Sequence, residues 1–402
     1  MNDLDAVRPG GTLVSGIVAV LEEGQRTRQQ LCSELGVSRT TLGRALNELI
    51  EGNYVGLTYA APSGRGRPVA YFALNNDVVW AIGIDISRTR GVALAVNRVG
   101  DVVAESRVDG THRGWTEVLG ELVRRLSEEL HAVDGIIGCL SHIGVGIPLP
   151  ILQGPPLDGR DADDGKPVPV TLLESTIHDR FDAPIMVDNT VRMAALGEAR
   201  WGAGKNVGLQ IYVRISGGIV ACSVVDSEVT VGAHGIAGEL GHVRVPGGES
   251  ECHCGKTGCL ETVASVPAIL RLSGHRTIGD LRESVQSGDP AAVECVGRAA
   301  DAVAFALSTA VLLLDPELLI LSGEVPEHVP GFVDEVKRNL PSHLIPGLHD
   351  NLDAVPALLE EMGSARGAIL AAERYLTAQR LKMEREERAA LYARSREFGR
   401  ED

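Results

Sequence analysis

The residues best equipped for chemistry lie close together. From Glu239 to Glu261 the chain reads Glu-Leu-Gly-His-Val-Arg-Val-Pro-Gly-Gly-Glu-Ser-Glu-Cys-His-Cys-Gly-Lys-Thr-Gly-Cys-Leu-Glu, which places three of the seven cysteines within eight positions and His242 ten residues before Cys252. One imidazole and three thiolates, from His242, Cys252, Cys254 and Cys259, form the donor set of a closed tetrahedral zinc site. Four protein ligands leave no open position for water or substrate, so the ion expected here is structural. Gly255 and Gly258 let the backbone fold tightly enough to turn the sulfurs toward one point. Three cysteines cannot pair among themselves without a remainder, and Cys252 and Cys254 are too close for an easy bridge, so metal ligation is expected over a disulfide. His253 is the alternative imidazole. Between two ligands of a Cys-x-Cys turn it is expected to point away from the ion, which favours His242.

A chain of 402 residues with 44% hydrophobic and only 3% aromatic content has room for two or three domains with ample cores. The start, Met-Asn-Asp-Leu-Asp, lacks the positive charge and apolar run of a signal peptide. The longest apolar run, Val303 to Leu314 between Asp301 and Asp315, is too short to span a bilayer. No membrane partner is expected, and the expected compartment is the reducing cytoplasm, where clustered thiols serve as metal ligands. A net charge of -16 excludes a general nucleic-acid coat. The charge is uneven, however. Between Arg26 and Tyr71 six arginines (26, 28, 39, 44, 65, 67) face three glutamates (34, 48, 51), a local excess of three positive charges that marks a confined interaction surface.

The elements around that basic island read as a reader of double-stranded DNA. Val14, Ile17, Val18 and Leu21 recur at helical spacing. Thr27 and Gln30 form a capping box that starts a second helix through Leu31 and Leu35. Gly36 permits a turn, and Ser38 caps a third helix with the apolar face Leu42, Ala45, Leu46, Leu49 and Ile50. Two short helices joined by a Gly-containing turn are a helix-turn-helix. Ser38, Arg39, Thr40, Thr41 and Arg44 fall on the exposed start of its second helix, the part that meets base edges and phosphates in a major groove. Strand-like Tyr54 to Tyr59 and Val69 to Leu74 flank Ser-Gly-Arg-Gly-Arg-Pro, a wing that would carry Arg65 and Arg67 into a narrow minor groove.

After Asn75-Asn76-Asp77 the pattern changes to strands and helices that alternate and start over. Strands are expected at Val79 to Ile86, Gly91 to Val96, Val102 to Arg107, Ile143 to Ile147 and Ile185 to Val187, with helices from Trp115 to Ala132, Leu172 to Phe181 and Val191 to Trp201. Gly154 to Pro169 is polar and rich in Pro and Gly, the composition of an exposed loop. Strands at Leu209 to Ile215 and Val220 to Val225 open a second set, and helices dominate beyond the cysteines apart from strand Leu318 to Leu321. Two related α/β lobes with a cleft between them are expected. Residues 1–77 would then be the DNA-binding domain, 78–375 the two-lobed body, and the Arg- and Glu-rich stretch 376–402 a solvated helical tail.

Gly238-Glu239-Leu240-Gly241-His242, followed by Cys252-x-Cys254-Gly255-x-x-Gly258-Cys259-Leu260-Glu261, resembles the signature of the ROK family of repressors and sugar kinases. The resemblance runs from about Gly11 to Tyr375, and the front domain matches the repressor branch, the NagC/XylR type. It implies an α/β, two-lobed, actin-like (ribonuclease H-like) body preceded by an N-terminal winged helix-turn-helix. It also implies structural Zn2+ on His242, Cys252, Cys254 and Cys259, and a sugar or sugar-derivative effector held by Asn189, Glu239, His242 and Glu261. Carboxylates and a metal-oriented imidazole are fixed acceptors and donors of the kind a polyol requires.

The kinase side of the resemblance is broken at five points. The pattern Asn-Asp-x-Asn should supply a catalytic base, but with Leu196-Gly197-Glu198 fixing the register, Thr190 stands in its place. A hydroxyl of ordinary acidity does not act as a general base, and loss of such a base costs ~10² to 10⁴ in rate. Asp85-Ile86-Ser87-Arg88-Thr89 and Ser216-Gly217-Gly218-Ile219-Val220-Ala221-Cys222 depart from the phosphate loops, Pro148-Leu149 replaces Pro-Gly, and Ser322-Gly323 replaces two glycines. The resulting expectation is a non-catalytic, sugar-responsive DNA-binding regulator, most simply a repressor, acting as a homodimer or homotetramer on paired half-sites. The alternative is an active ATP-dependent sugar kinase carrying a DNA-binding head.

Overall fold

The computed structural model describes residues 12–59, 69–87, 90–109, 114–132, 140–148, 170–347 and 351–398. Arg65 and Arg67 at the expected wing tip, Arg88, Thr89 and Leu149 of the phosphate-loop departures, and the Pro- and Gly-rich stretch 154–169 all lie outside the described residues.

The front of the chain folds as α1 (Thr12–Glu22), β1 (Arg26–Thr27), α2 (Arg28–Leu35), α3 (Arg39–Glu51), β2 (Val55–Tyr59) and β3 (Ala70–Leu74). Ile17, Leu21, Leu31, Leu42, Leu46 and Leu49 from the three helices close over Phe72 of β3 in one small core. The two wing strands pair antiparallel, and β1 adds a third strand on the far side of β3 through Arg26–Phe72 and Thr27–Tyr71. Two residues ahead of a capping box carry no strand signal of their own, so β1 is visible only in the fold.

The first lobe contains β4 (Val79–Ile86), β5 (Arg90–Asn97), β6 (Val102–Asp109), α4 (Trp115–His131), β7 (His142–Ile147), α5 (Val170–His178), β8 (Ile185–Asn189) and α6 (Thr190–Trp201). Its sheet has the order β6-β5-β4-β7-β8, with β4, β5 and β6 antiparallel and β7 and β8 parallel to β4. The second lobe contains β9 (Leu209–Ile215), β10 (Ile219–Val225), β11 (Glu228–Val229), a 3-10 turn at Leu240–His242, α7 (Glu261–Ala264), α8 (Val266–Ser273), α9 (Ile278–Ser287), α10 (Pro290–Leu314), β12 (Leu318–Ser322), α11 (Glu324–His328), α12 (Phe332–Asn339), β13 (Asp353–Pro356) and α13 (Glu360–Phe398). Its sheet order, β11-β10-β9-β12-β13, repeats the first: three antiparallel strands, then two parallel ones. The pattern that starts twice in the sequence is thus one topology built twice.

α10 shows why the apolar run at its end is not isolated. It is 25 residues long, the one described helix long and apolar enough to cross a membrane. The apolar run Val303 to Leu314, by itself too short to span a bilayer, is the second half of this longer helix. Val303, Leu307 and Val311 pack with Val213, Ile215, Leu319 and Leu321 as the core helix of the second lobe.

α13 is the element the sequence concealed. It follows the second lobe's last strand yet lies across β4 and β7 of the first, with Ala365 and Ala368 fully buried. A β-carbon on Gly144 of β7 would collide with the Ala368 carbonyl, and one on Gly367 with the Met193 carbonyl of α6, so only glycine permits these approaches. On the first lobe's other face, α4 covers Ile82, Ile84, Ile143 and Val145. Strands covered on both faces read as continuous apolar runs, as β4 does. Between the lobes, Val191, Ala194, Ala195 and Ala199 of α6 meet Tyr212, Cys222, Val224 and Ile320. The helix after Asn189 is therefore packed between the two lobes, buried from Thr190 to Ala199. The stretch beginning at 376 continues α13 as helix to Phe398.

Candidate functional site

The segment between the 3-10 turn and α7 folds on itself as a knuckle. The Cys252 amide donates to the Lys256 carbonyl, that of Gly255 to the Cys252 carbonyl, and that of Val245 to the Gly258 carbonyl. Gly255 and Gly258 adopt φ of 85° and 83°, the left-handed conformation the tight turns need. As a result, the ligand atoms of His242, Cys252, Cys254 and Cys259 all lie within 4.8 Å of one another. His242 Nδ1 is 3.6 Å from Cys252 Sγ, and Cys254 Sγ is 3.7 Å from Cys259 Sγ. A tetrahedron with Zn–S of about 2.3 Å has edges of about 3.8 Å. These spacings suit ligands around an ion and are far beyond a disulfide bond. Burial pushes the Cys259 thiol up to about 12 and raises that of Cys252, whereas the Lys256 amide lowers that of exposed Cys254. A cation supplies the countercharge that turns such thiols into thiolate ligands.

With Nδ1 turned to the sulfurs, the other nitrogen of His242 faces outward, 3.7 Å from Glu239 Oε2. Glu261 opens α7 on the other side of the knuckle. A β-carbon at Gly241 would sit 3.1 Å from its carboxylate and one at Gly218 would sit 3.7 Å away, so bare backbone surrounds it. His253 does not turn away as the spacing suggested. Its ring lies edge-on to that of His242 at 5.2 Å and its Nδ1 is 3.4 Å from Glu261 Oε1, although it stays outside the four-ligand group. The knuckle thus gathers Glu239, His242 and Glu261. Asn189 belongs to the first lobe, at the end of β8, where its Oδ1 caps α6 by accepting from the Val191 amide at 2.8 Å.

The position expected to hold a catalytic base has a different arrangement. Thr190 is 3% exposed, and its hydroxyl donates to Asp85, itself 4% exposed. The Ser364 hydroxyl of α13 donates to the same Asp85 oxygen at 2.7 Å and lies 2.8 Å from that of Thr190. The neighbouring carboxylate, Asp188, pairs with Arg192 at 3.0 Å. Glu198 of the register motif is also buried, and its carboxylate takes the amides of Leu358 and Leu359 at 2.9 and 2.7 Å, fixing the approach to α13.

The phosphate-loop positions are similarly occupied. Ser216 Oγ accepts the Glu324 amide at 3.2 Å, and Glu327 Oε1 accepts the Gly323 amide at 3.0 Å. Two backbone donors at the start of α11 are therefore satisfied from within, one of them by a negative charge. No pattern in the sequence announced Ser364, Glu327 or the partners of Ser216. Arg192, where the kinase pattern calls for asparagine, was the one local signal.

In the front domain the capping box forms as read: Thr27 Oγ1 accepts the Gln30 amide and Gln30 Oε1 accepts the Thr27 amide. Gly36, at φ 65°, closes α2, and Ser38 caps α3 by accepting the Thr41 amide at 3.2 Å. Leu42, Ala45, Leu46 and Leu49 face the core, while Ser38, Arg39, Thr40, Thr41 and Arg44 are exposed. Arg26 is held by Glu23 and Glu34, and Arg28 lies over Phe72. Arg39 and Arg44 make no ion pair among the described residues.

The chain is similar to a glucokinase of Halalkalibacterium halodurans, 26% identical over 68% of this chain and 89% of that protein. It is equally identical to a putative xylose repressor of Caldicellulosiruptor, here over 79% of this chain and 84% of the relative. Among solved structures, a ROK family transcriptional regulator, homolog of the Escherichia coli MLC protein, superposes with a TM-score of 0.62 at 24% identity, covering 86% of this chain and 91% of that one. The ROK family model matches residues 81–374, from the first strand of the body into α13 and across the knuckle, and the chain belongs to the ROK family.

Proposed function

We propose that this chain is a cytoplasmic, sugar-responsive transcription regulator of the repressor kind, with a body that no longer phosphorylates. Residues 1–77 read DNA, 78–375 sense the effector, and 376–402 form a charged tail. The observation that carries the reading is Thr190. The residue standing at the base position is buried, with its hydroxyl bound to Asp85 beside Ser364, and the adjacent Asp188 is neutralised by Arg192. Neither group is placed to take a proton from a sugar hydroxyl. The donor set and spacing of His242, Cys252, Cys254 and Cys259 suit a structural zinc that holds the loop in shape. Glu239, His242 and Glu261, with Asn189 from the other lobe, then present hydroxyl-binding groups to a sugar. Sugar binding shifts the population of lobe arrangements, and with it the spacing of two DNA heads in a homodimer or homotetramer.

Two assays test this together. In a coupled ADP-release assay with D-glucose, D-xylose and N-acetyl-D-glucosamine, no turnover is expected. Turnover abolished by Asp188→Ala would instead make the chain a sugar kinase with a DNA-binding head. In fluorescence anisotropy on a palindromic promoter fragment, Arg44→Ala should weaken binding by about 1–3 kcal/mol. Arg65→Ala with Arg67→Ala should weaken it further. Binding indifferent to all three substitutions ends the DNA-reader assignment.

A further inference from the structure

Arg192 sits where a cation is poorly suited. It lies in the first turn of α6, where the helix dipole disfavours positive charge. It is also only 8% exposed, and a buried guanidinium costs several kcal/mol of desolvation unless paired. Its two partners come from different lobes. Nη1 donates to Asp188 at 3.0 Å, which settles the charge within the first lobe. Nη2 donates to the Gly235 carbonyl of the second lobe.

Gly235 belongs to the segment joining β11 to the Leu240–His242 turn. That segment bends through Gly232, Gly235 and Gly238 at φ 74°, 75° and 102°, left-handed turns that glycine makes without steric cost. Its far end is fixed to β10, where the Ala221 amide donates to the Gly238 carbonyl at 2.7 Å. Glu239 follows immediately. On the other side, Arg192 is one helical turn past Asn189. A short covalent and hydrogen-bonded path therefore runs from Asn189 through Arg192 and Gly235 to Glu239, joining the two halves of the candidate sugar site.

We propose that Arg192 is a positioning residue that clasps the Asn189 edge of the first lobe to the Glu239 segment of the second, so that sugar occupancy and lobe arrangement are coupled through it. This rests on the sugar-sensing reading above. An Arg suits the task because its rigid planar fork holds two separate NH2 groups, one toward the carboxylate and one toward the carbonyl, where a Lys would offer a single nitrogen.

The test compares wild type, Arg192→Ala, Arg192→Lys, Glu239→Gln and the Arg192→Ala/Glu239→Gln double variant. The readouts are calorimetry with D-glucose, D-xylose and N-acetyl-D-glucosamine, promoter affinity with and without sugar, and bound zinc. Arg192→Ala should lower sugar affinity ~10-fold and bring the sugar-dependent change in promoter affinity close to none. Zinc content and sugar-free promoter affinity should remain those of wild type. Arg192→Lys should retain the pair with Asp188 and recover only part of the sugar affinity. The double variant should lose no more than the more affected single one, because both act on one segment. Losses that simply add would reduce Arg192 to a packing role. A responsive wild type with an equally responsive Arg192→Ala overturns the clasp alone. Should Arg192→Ala fail to fold, Arg192→Lys with full sugar affinity overturns it. A wild type that binds none of the three sugars removes the sugar-sensing reading and the clasp with it.

Discussion

The knuckle in the second lobe and the buried Asp85–Thr190–Ser364 cluster under α13 both gather polar side chains, but they direct them differently. In the knuckle, four donors converge on one point, and three further groups, Glu239, His242 Nε2 and Glu261, stand on its outer side. In the cluster two hydroxyls meet one carboxylate, and the other positions of the kinase pattern are paired likewise: Asp188 meets Arg192, and in the second lobe Ser216 and Glu327 take the amides at the start of α11. A set of groups with capacity left over can bind a ligand, whereas a closed set holds the protein together. The knuckle keeps groups turned outward and the cluster keeps none, within a fold whose relatives include a glucokinase and a putative xylose repressor.

The largest expected effect is on the knuckle. Cys254→Ser should abolish zinc binding, read as metal per chain by emission spectroscopy, and with it the response to sugar. Structural zinc contributes about 10–16 kcal/mol of apparent binding energy in small zinc-dependent peptides. Here the four strands and helices around the knuckle have their own core, so the loop should loosen while the lobe stays folded. Sugar binding that survives complete zinc loss would separate the outward-facing groups from the ion and break the comparison on its first side.

The other side is tested by restoring the base. Thr190→Asp places a second carboxylate against buried Asp85, and an uncompensated buried charge costs about 3–5 kcal/mol. Urea unfolding should show a loss of that size, with ADP release still absent. Turnover in this variant would mean that the cleft lacked only a base and that the cluster is not closed.

How much of this was legible follows from sequence distance. The four residues that converge in the knuckle span eighteen positions and are placed by local turns, so their convergence could be read from glycine placement and Cys-x-Cys spacing. The helix-turn-helix was legible for the same reason, through Thr27, Gln30, Gly36 and Ser38. The cluster was not, because Ser364 reaches Asp85 across 279 positions and Ser216 reaches Glu324 across 108. α13 was hidden because most of what it buries, Gly363, Ser364, Ala365, Gly367, Ala368 and Ala372, is small, which suits close packing but carries little hydrophobic signal. That Thr190 stands at the position expected to hold a base follows from the register alone. That it is also sealed in depends on α13.

The seam under α13 carries its own titratable group. His142 of β7 is buried, its Nε2–H donating to the Ile369 carbonyl at 3.1 Å and its Nδ1 accepting from Ser141. Burial holds it down to about 4 from the usual 6.5, despite the carbonyl partner. The unfolded chain therefore takes the proton first, so this group's contribution is intact above about pH 6.5 and is lost as pH falls toward 4. Over that window it should remove about 3 kcal/mol. His142→Gln should flatten the corresponding part of the stability profile measured by urea unfolding. An unchanged slope would mean that α13 lifts off the strand and lets the imidazole charge, in which case the closed side of the comparison is looser than its hydrogen bonds suggest.

The smallest effect is expected at the phosphate loop. Ser216→Gly restores bare backbone there and releases the Glu324 amide at the cost of one hydrogen bond, about 1 kcal/mol. Stability should change little. Binding of a fluorescent ATP analogue should still be absent, because Glu327 continues to hold the Gly323 amide and sets a negative charge against any incoming phosphate. Adding Glu327→Gln removes that charge but keeps an acceptor for the amide, so the double variant isolates electrostatics from occupancy. Nucleotide binding in the single variant would show that one hydroxyl was the whole barrier. Binding only in the double variant would identify the carboxylate as the element that excludes phosphate, a barrier separate from the one proposed at Thr190 and its buried partners.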